Sequence, residues 1–158
     1  MATFFYTTGL KECLDGTIDL DTDTIKIVLL SNSTVYTPNK AHLVMDAGGA
    51  NDPADAELDC TGYTAGYESA SRKTATIAIA ANLTSNRVEV SIQDETWTSV
   101  EAGYTVVGAL LVKETALSDD TETRLIAYID FPDQVTNGGD VFLDALAAES
   151  GGNLRIYC

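Results

Sequence analysis

The six residues Arg87-Val88-Glu89-Val90-Ser91-Ile92 alternate polar and apolar without a break, and nothing else in the chain restricts the fold as tightly. In an extended backbone successive side chains point to opposite faces. Val88, Val90 and Ile92 therefore share one face, and Arg87, Glu89 and Ser91 share the other. That pattern predicts a half-buried antiparallel strand. The preceding stretch repeats it: Lys73 to Ala80 sets Ala75, Ile77 and Ile79 on one face and Thr74, Thr76 and Ala78 on the other, with residues 81 to 86 as the turn.

Other segments extend the β reading. Thr24 to Leu30 is β-branched, with Ile25, Ile27 and Leu29 directed to the core. Tyr104 to Val112 is apolar on both faces and belongs at the centre of a sheet. Its Gly108 and Ala109 leave room for a backbone or a large ring from the opposite layer. Arg124 to Phe131 places Leu125, Ala127, Ile129 and Phe131 opposite Ile126, Tyr128 and Asp130, and Pro132 ends it. Thr136-Asn137-Gly138-Gly139-Asp140 is the strongest turn signal. Val141 to Leu146 and Asn153 to Tyr157 read as closing strands, and Trp97 is expected to cap one end of the core.

Helix signals are few. Thr8 to Leu14 offers Thr8 as N-cap, a stripe of Leu10, Cys13 and Leu14, and Gly16 as a left-handed stop. Residues 31 to 71 are irregular, and a connection that long predicts interruptions: a short helix over Lys40 to Asp46 and a strand over Tyr63 to Ser69. The expected fold is all-β, an antiparallel β-sandwich (jelly-roll-like or a related barrel) with one or two short helices. One domain spans residues 1–158, with segment 1–16 as a candidate interface arm and an irregular insertion at 31–71.

Charge then limits the partners. With 24 acidic and 9 basic residues the net charge is −15, while 45% apolar residues supply a core. Such a surface repels DNA, RNA and anionic lipid, so neither nucleic acid nor membrane is an expected partner. No run approaches the length of a membrane span. Met1 to Tyr6 lacks the basic and apolar regions of a secretory signal, which predicts synthesis in a cytoplasm.

Chemistry is sparse. Cys13, Cys60 and Cys158 have no metal-binding spacing and are odd in number. They read as separate reduced thiols, with Cys158, the last residue, as the candidate for an interchain disulfide. His42 has no catalytic motif around it and reads as a surface residue. Asp19-Leu20-Asp21-Thr22-Asp23 opens like a calcium loop, but Thr24 and Leu30 stand where that loop needs glycine and glutamate. It reads as a solvated turn, as does the acidic stretch Asp52, Asp55, Glu57, Asp59. No cofactor, metal or catalytic residue is expected. A carboxylate pair of the glycosidase kind remains open from sequence alone.

Several blocks together carry a resemblance: Leu14-Asp15-Gly16 with Ile18-Asp19-Leu20, Asp23 to Leu30, Gly62-Tyr63-Thr64-Ala65-Gly66, Asp94-Glu95-Thr96-Trp97-Thr98, and Leu125 to Phe131. As a set they resemble small virion-associated proteins of tailed double-stranded DNA bacteriophages. The acidic loop Asn51 to Asp59 and the Cys158 end depart from the pattern. The resemblance implies a non-enzymatic capsid decoration or cement protein on the outer head surface, with the major capsid protein and copies of itself as partners. A tail or fibre-associated, receptor-binding module is the alternative, with the Tyr63/Tyr67 loop as its groove, and a hydrolase on a β scaffold is a third. Phe4, Phe5 and Tyr6 are the candidate interface anchors, because aromatic side chains are favoured in interface centres. Tyr63, Tyr67 and Tyr157 are further candidates.

Overall fold

The computed structural model describes residues 3–115, 119–130 and 132–144, and the backbone of Leu154–Tyr157. The elements in chain order are β1 (Phe4–Phe5), α1 (Thr7–Leu14), β2 (Ile25–Ser31), a 3-10 turn (Pro53–Ala56), β3 (Lys73–Thr74), β4 (Ile77–Asn82), β5 (Arg87–Ile92), β6 (Glu95–Trp97), β7 (Thr105–Lys113), β8 (Arg124–Ile129), β9 (Gln134–Val135), β10 (Val141–Leu143) and β11 (Leu154–Tyr157). Every registered strand pair is antiparallel. The protein is therefore all-β, with one short α-helix among the described residues.

The main sheet runs β1-β8-β7-β2-β3, with β9 against the start of β7; β11-β5-β4 and β10-β6 form two smaller sheets. One core cluster joins Ile25, Ile27, Leu29, Ala109 and Leu111 of the main sheet to Val90, Ile92, Trp97, Val141 and Leu143 of the smaller ones. The opposite face of the main sheet, with Val28, Leu30, Leu110 and Val112, packs against Tyr6, Met45 and Ala56. Burial on both faces explains why β7 reads as apolar throughout.

Gly108 does admit a large ring, but from the neighbouring strand and not from the opposite layer. A Cβ there would lie 2.7 Å from the Tyr128 hydroxyl. On β8 the expected alternation breaks. The register with β7 slips between Leu111 and Val112, so that Leu111 faces Ala127 while Val112 faces Leu125. Ile126 is the extra residue of a bulge. Leu125 consequently joins Tyr128 in the second cluster, while Ile126 joins Ala127 and Ile129 in the first.

The bulge is also where α1 attaches. Tyr6, not Thr8, is the N-cap; its own amide donates to Ile126 O at 3.0 Å, and its carbonyl accepts from Leu10 N at 2.8 Å. The buried helical residue is Gly9, where a Cβ would stand 2.3 Å from Leu125 O. Helix backbone meets strand backbone there, and of the expected apolar stripe Cys13 packs against the first core cluster while Leu14 is left 72% exposed. Gly16 takes the left-handed conformation at φ 79° that ends the turn after α1.

Three further expectations change within residues 31–80. Residues 40–46 are not helical, because Leu43 and Met45 bond to the start of β8 (Leu125 N to Leu43 O, Met45 N to Thr123 O). Long-range pairing prevails over a helix too short to hold itself. Residues 63–69 form no strand: Tyr63 makes only an isolated bridge to Cys60, and the chain then turns at 66–68, with Gly66 and Glu68 at positive φ. The single strand expected over 73–80 is two: Ala75 N still donates to Ile25 O, after which the chain leaves β2 and pairs with β5 as β4.

Candidate functional site

Three features among the described residues bring polar or apolar side chains together. The first is a junction around Arg72, whose side chain is fully buried. Its Nε donates to Glu57 Oε1 at 2.9 Å and Nη2 to Glu57 Oε2 at 2.6 Å. Nη1 donates to Glu114 Oε1 at 2.9 Å and to Asp120 Oδ1 at 2.7 Å, and Nη2 also reaches Asp120 Oδ2 at 2.7 Å. A guanidinium has five N–H donors, and here all five are used. Burial alone would lower the Arg72 pKa, but the bonds and charges of Glu57 and Asp120 outweigh it and hold it above its ordinary value.

Tyr63 extends this junction into the main sheet. β3 covers β2 only at Lys26 and Ile27. Beyond that point Leu58 N donates to Leu29 O at 2.9 Å, and Leu29 N donates to the Tyr63 hydroxyl at 3.1 Å. The same hydroxyl donates to Glu57 Oε1 at 3.2 Å. Tyr63 thus completes the edge of β2 with a side chain. Burial, and then the nearby Glu57 charge, push its pKa well above the usual phenol value.

Beside the junction lies a groove of about 410 Å³, lined by Thr24, Lys26, Tyr67, Glu68, Glu114 and Thr115. Tyr67 is half-buried and donates to Thr115 O, while Glu68 N donates to Glu114 Oε1 at 3.0 Å. The carboxylates of Glu57, Glu114 and Asp120 converge on Arg72. A glycosidase pair, by contrast, needs two carboxyl groups facing a substrate across a cleft.

The third feature is an apolar hollow of about 410 Å³ between the end of α1 and the β4-β5 hairpin. Cys13, Leu14, Ile18 and Leu20 form one wall, and Ile79, Val88 and Val90 the other; Asp19 stands among them. Burial, then the charges of Glu12, Asp15 and Asp23, push the Cys13 thiol up to about 11. At neutral pH it is a small apolar group and not a nucleophile.

The remaining sequence candidates fall as follows. Phe4 and Phe5 form β1 at the sheet edge, both half-buried, with Phe4 Tilted on Tyr128 at 5.6 Å between ring centres. Tyr6 and Tyr63 are 0% exposed and present nothing to a partner. Tyr157 pairs with Arg87 through its backbone; its side chain and all of Cys158 lie outside the described residues. His42, expected at the surface, is half-buried and bonded through Nδ1 to the Tyr36 hydroxyl at 2.9 Å, which meets Tyr6 at 2.8 Å. Asp19 and Asp23 bond to backbone amides of their own turn. Among the described residues no three His, Cys, Asp or Glu side chains are grouped to hold a metal.

Sequence reasoning did not find the Arg72 junction. Its partners lie 15, 42 and 48 residues away, and the one hint was an acidic stretch around Glu57. Comparisons with protein families, with curated proteins and with solved structures return no match for this chain.

Proposed function

We propose that this chain is a non-enzymatic structural protein of the virion of a tailed double-stranded DNA bacteriophage. In this reading it binds the outer head surface, contacts the major capsid protein and copies of itself, and bridges neighbouring shell subunits. The observation that carries the reading is how the surface is divided. The carboxylates nearest to a catalytic arrangement are engaged by Arg72, whereas exposed apolar side chains remain at Leu14, Ile79, Val135 and Phe142. Such a surface suits adhesion better than turnover. The blocks that resemble phage virion proteins fall on the end of α1, β2, the Tyr63 turn, β6 and β8, so the likeness is one of scaffold.

A cement protein works by favouring the assembled state: it binds the closed lattice and not free subunits, and shifts the equilibrium by that difference. Electron-microscopic imaging of particles with and without the protein tests this. Density over the head lattice, with earlier head rupture on heating when the protein is missing, is the expected result. Density confined to the tail would sink it. A tail location is the second reading, favoured by the Tyr67 groove, whose aromatic ring and carboxylates suit a glycan.

A further inference from the structure

The edges of the main sheet are blunt: β1, β3 and β9 have two residues each. Short edges are one of the ways in which proteins avoid unwanted strand pairing. β4 is built differently. It has six residues, Ile77-Ala78-Ile79-Ala80-Ala81-Asn82, with no charge and no proline, in a chain of net charge −15. Among the described residues it pairs only with β5, so one side of its backbone is open for hydrogen bonding.

The inner face of this hairpin forms one wall of the apolar hollow, and Ile79, 45% exposed, stands at its opening with Leu14. Next to that opening the turn after α1 is acidic. Asp15 is paired with Lys11 and Asp23 with Lys113, but Asp19 and Asp21, both exposed, meet no lysine or arginine among the described residues. An open strand edge, an apolar hollow and unneutralised carboxylates thus lie side by side.

We propose that the β4 edge receives an extended, cationic segment of a partner protein, added as a strand alongside Ile77–Asn82. Strand addition supplies affinity through the backbone and specificity through alternate side chains. Apolar residues of the segment enter the hollow beside Ile79, and the lysines or arginines flanking them meet Asp19 and Asp21. At this edge charge selects the cationic segment over a second β4, which is uncharged and brings no lysine or arginine to Asp19 and Asp21. This surface is independent of where the protein sits in a particle: imaging tests location, and the peptide experiment below tests the edge.

Hydrogen exchange of residues 77–82 is measured with a peptide of alternating valine and lysine. The control peptide has the same composition with its lysines and valines in two blocks. The alternating peptide is expected to slow exchange at 77–82 about tenfold when present at roughly ten times its dissociation constant. The block peptide leaves exchange there unchanged, and Ile79→Lys abolishes the protection. Because Ile79 is partly exposed, that variant keeps its fold, which the exchange of β7 verifies in the same experiment. Asp19→Asn with Asp21→Asn weakens binding and flattens its salt dependence. Equal protection by the block peptide, or protection that survives Ile79→Lys, would overturn the proposal. So would protection, without peptide, of the alternate amides in 77–82 that do not bond to β5: if it grows with protein concentration the occupant is a second copy, and if it does not the chain fills its own edge.

Discussion

Arg72 holds three carboxylates from three different parts of the chain, and its removal leaves Glu57 buried without a cation. Breaking one side of a buried pair is far costlier than the pair is worth as a whole. Arg72→Ala is expected to lower unfolding free energy by about 3–5 kcal/mol, read from urea denaturation. Arg72→Lys recovers only part of this, since an ammonium cannot make the two bidentate contacts. A loss below about 1 kcal/mol for Arg72→Ala, typical of exposed pairs, would show that water replaces the guanidinium. In sequence, Arg72 is one basic residue before Lys73 and nothing marks it. Its meaning lies in Glu57, Glu114 and Asp120, which only the fold brings together.

At the scale of elements, two glycines govern how pieces touch. Gly9→Ala would usually favour a helix by about 1 kcal/mol. Here the added methyl meets Leu125 O and Ile126 Cα, both backbone atoms that cannot turn aside. Gly108→Ala meets the Tyr128 ring, which can shift. Both substitutions are expected to destabilise by about 1–3 kcal/mol, with Gly9→Ala the worse. Thermal unfolding of the two variants checks the order, and an unchanged or raised midpoint for Gly9→Ala would contradict the packing of α1 on β8.

The same scale shows what was legible. β5, β2 and β7 were readable because each carries its burial pattern within its own residues. Residues 31–71 were not, because Leu43, Met45, Leu58 and Tyr63 are positioned by bonds to strands that are distant in sequence. The β8 bulge was hidden for a similar reason: one extra residue shifts the alternation, and only the register with β7 reveals it. Of the candidate interface, the sequence offered the aromatics, several of which the core absorbs. The exposed edge of β4 depends on strand order, which composition does not encode.

For the whole molecule, charge and buried phenols set the limits of stability. A net charge of −15 makes the compact state repel itself, and salt screens surface charges more than buried ones. Raising sodium chloride from a few millimolar to several hundred millimolar is expected to raise the melting temperature. A fall would mean that surface ion pairs outweigh the repulsion.

At high pH the tyrosines decide. Burial pushes Tyr36 and Tyr128 from their ordinary value of 10.0 up to about 12, and holds Tyr6 and Tyr63 higher still. Folding favours the protonated phenol, so this stability is complete below pH 10 and is lost as pH rises through about 12. Each group contributes a slope of about 1.4 kcal/mol per pH unit across that window. Absorbance of phenolate and far-ultraviolet circular dichroism should therefore change together for these four residues. Ionisation of all seven tyrosines near pH 10 with the fold intact would contradict their burial.

The passage from β3 to β4 through Ala75 and Thr76 has a mechanical consequence. A force applied along β4 travels through two residues into Lys73–Thr74, and the next residue toward the N-terminus is Arg72. The guanidinium there is bonded to the loop before Tyr63 and to Glu114 and Asp120 of the β7–β8 connection. Tension at the open edge thus meets β2 first, through Ala75 and β3, and Arg72 then passes what remains to the Glu57 loop and the β7–β8 connection. The molecule is braced at the point where a strand added to β4 would pull.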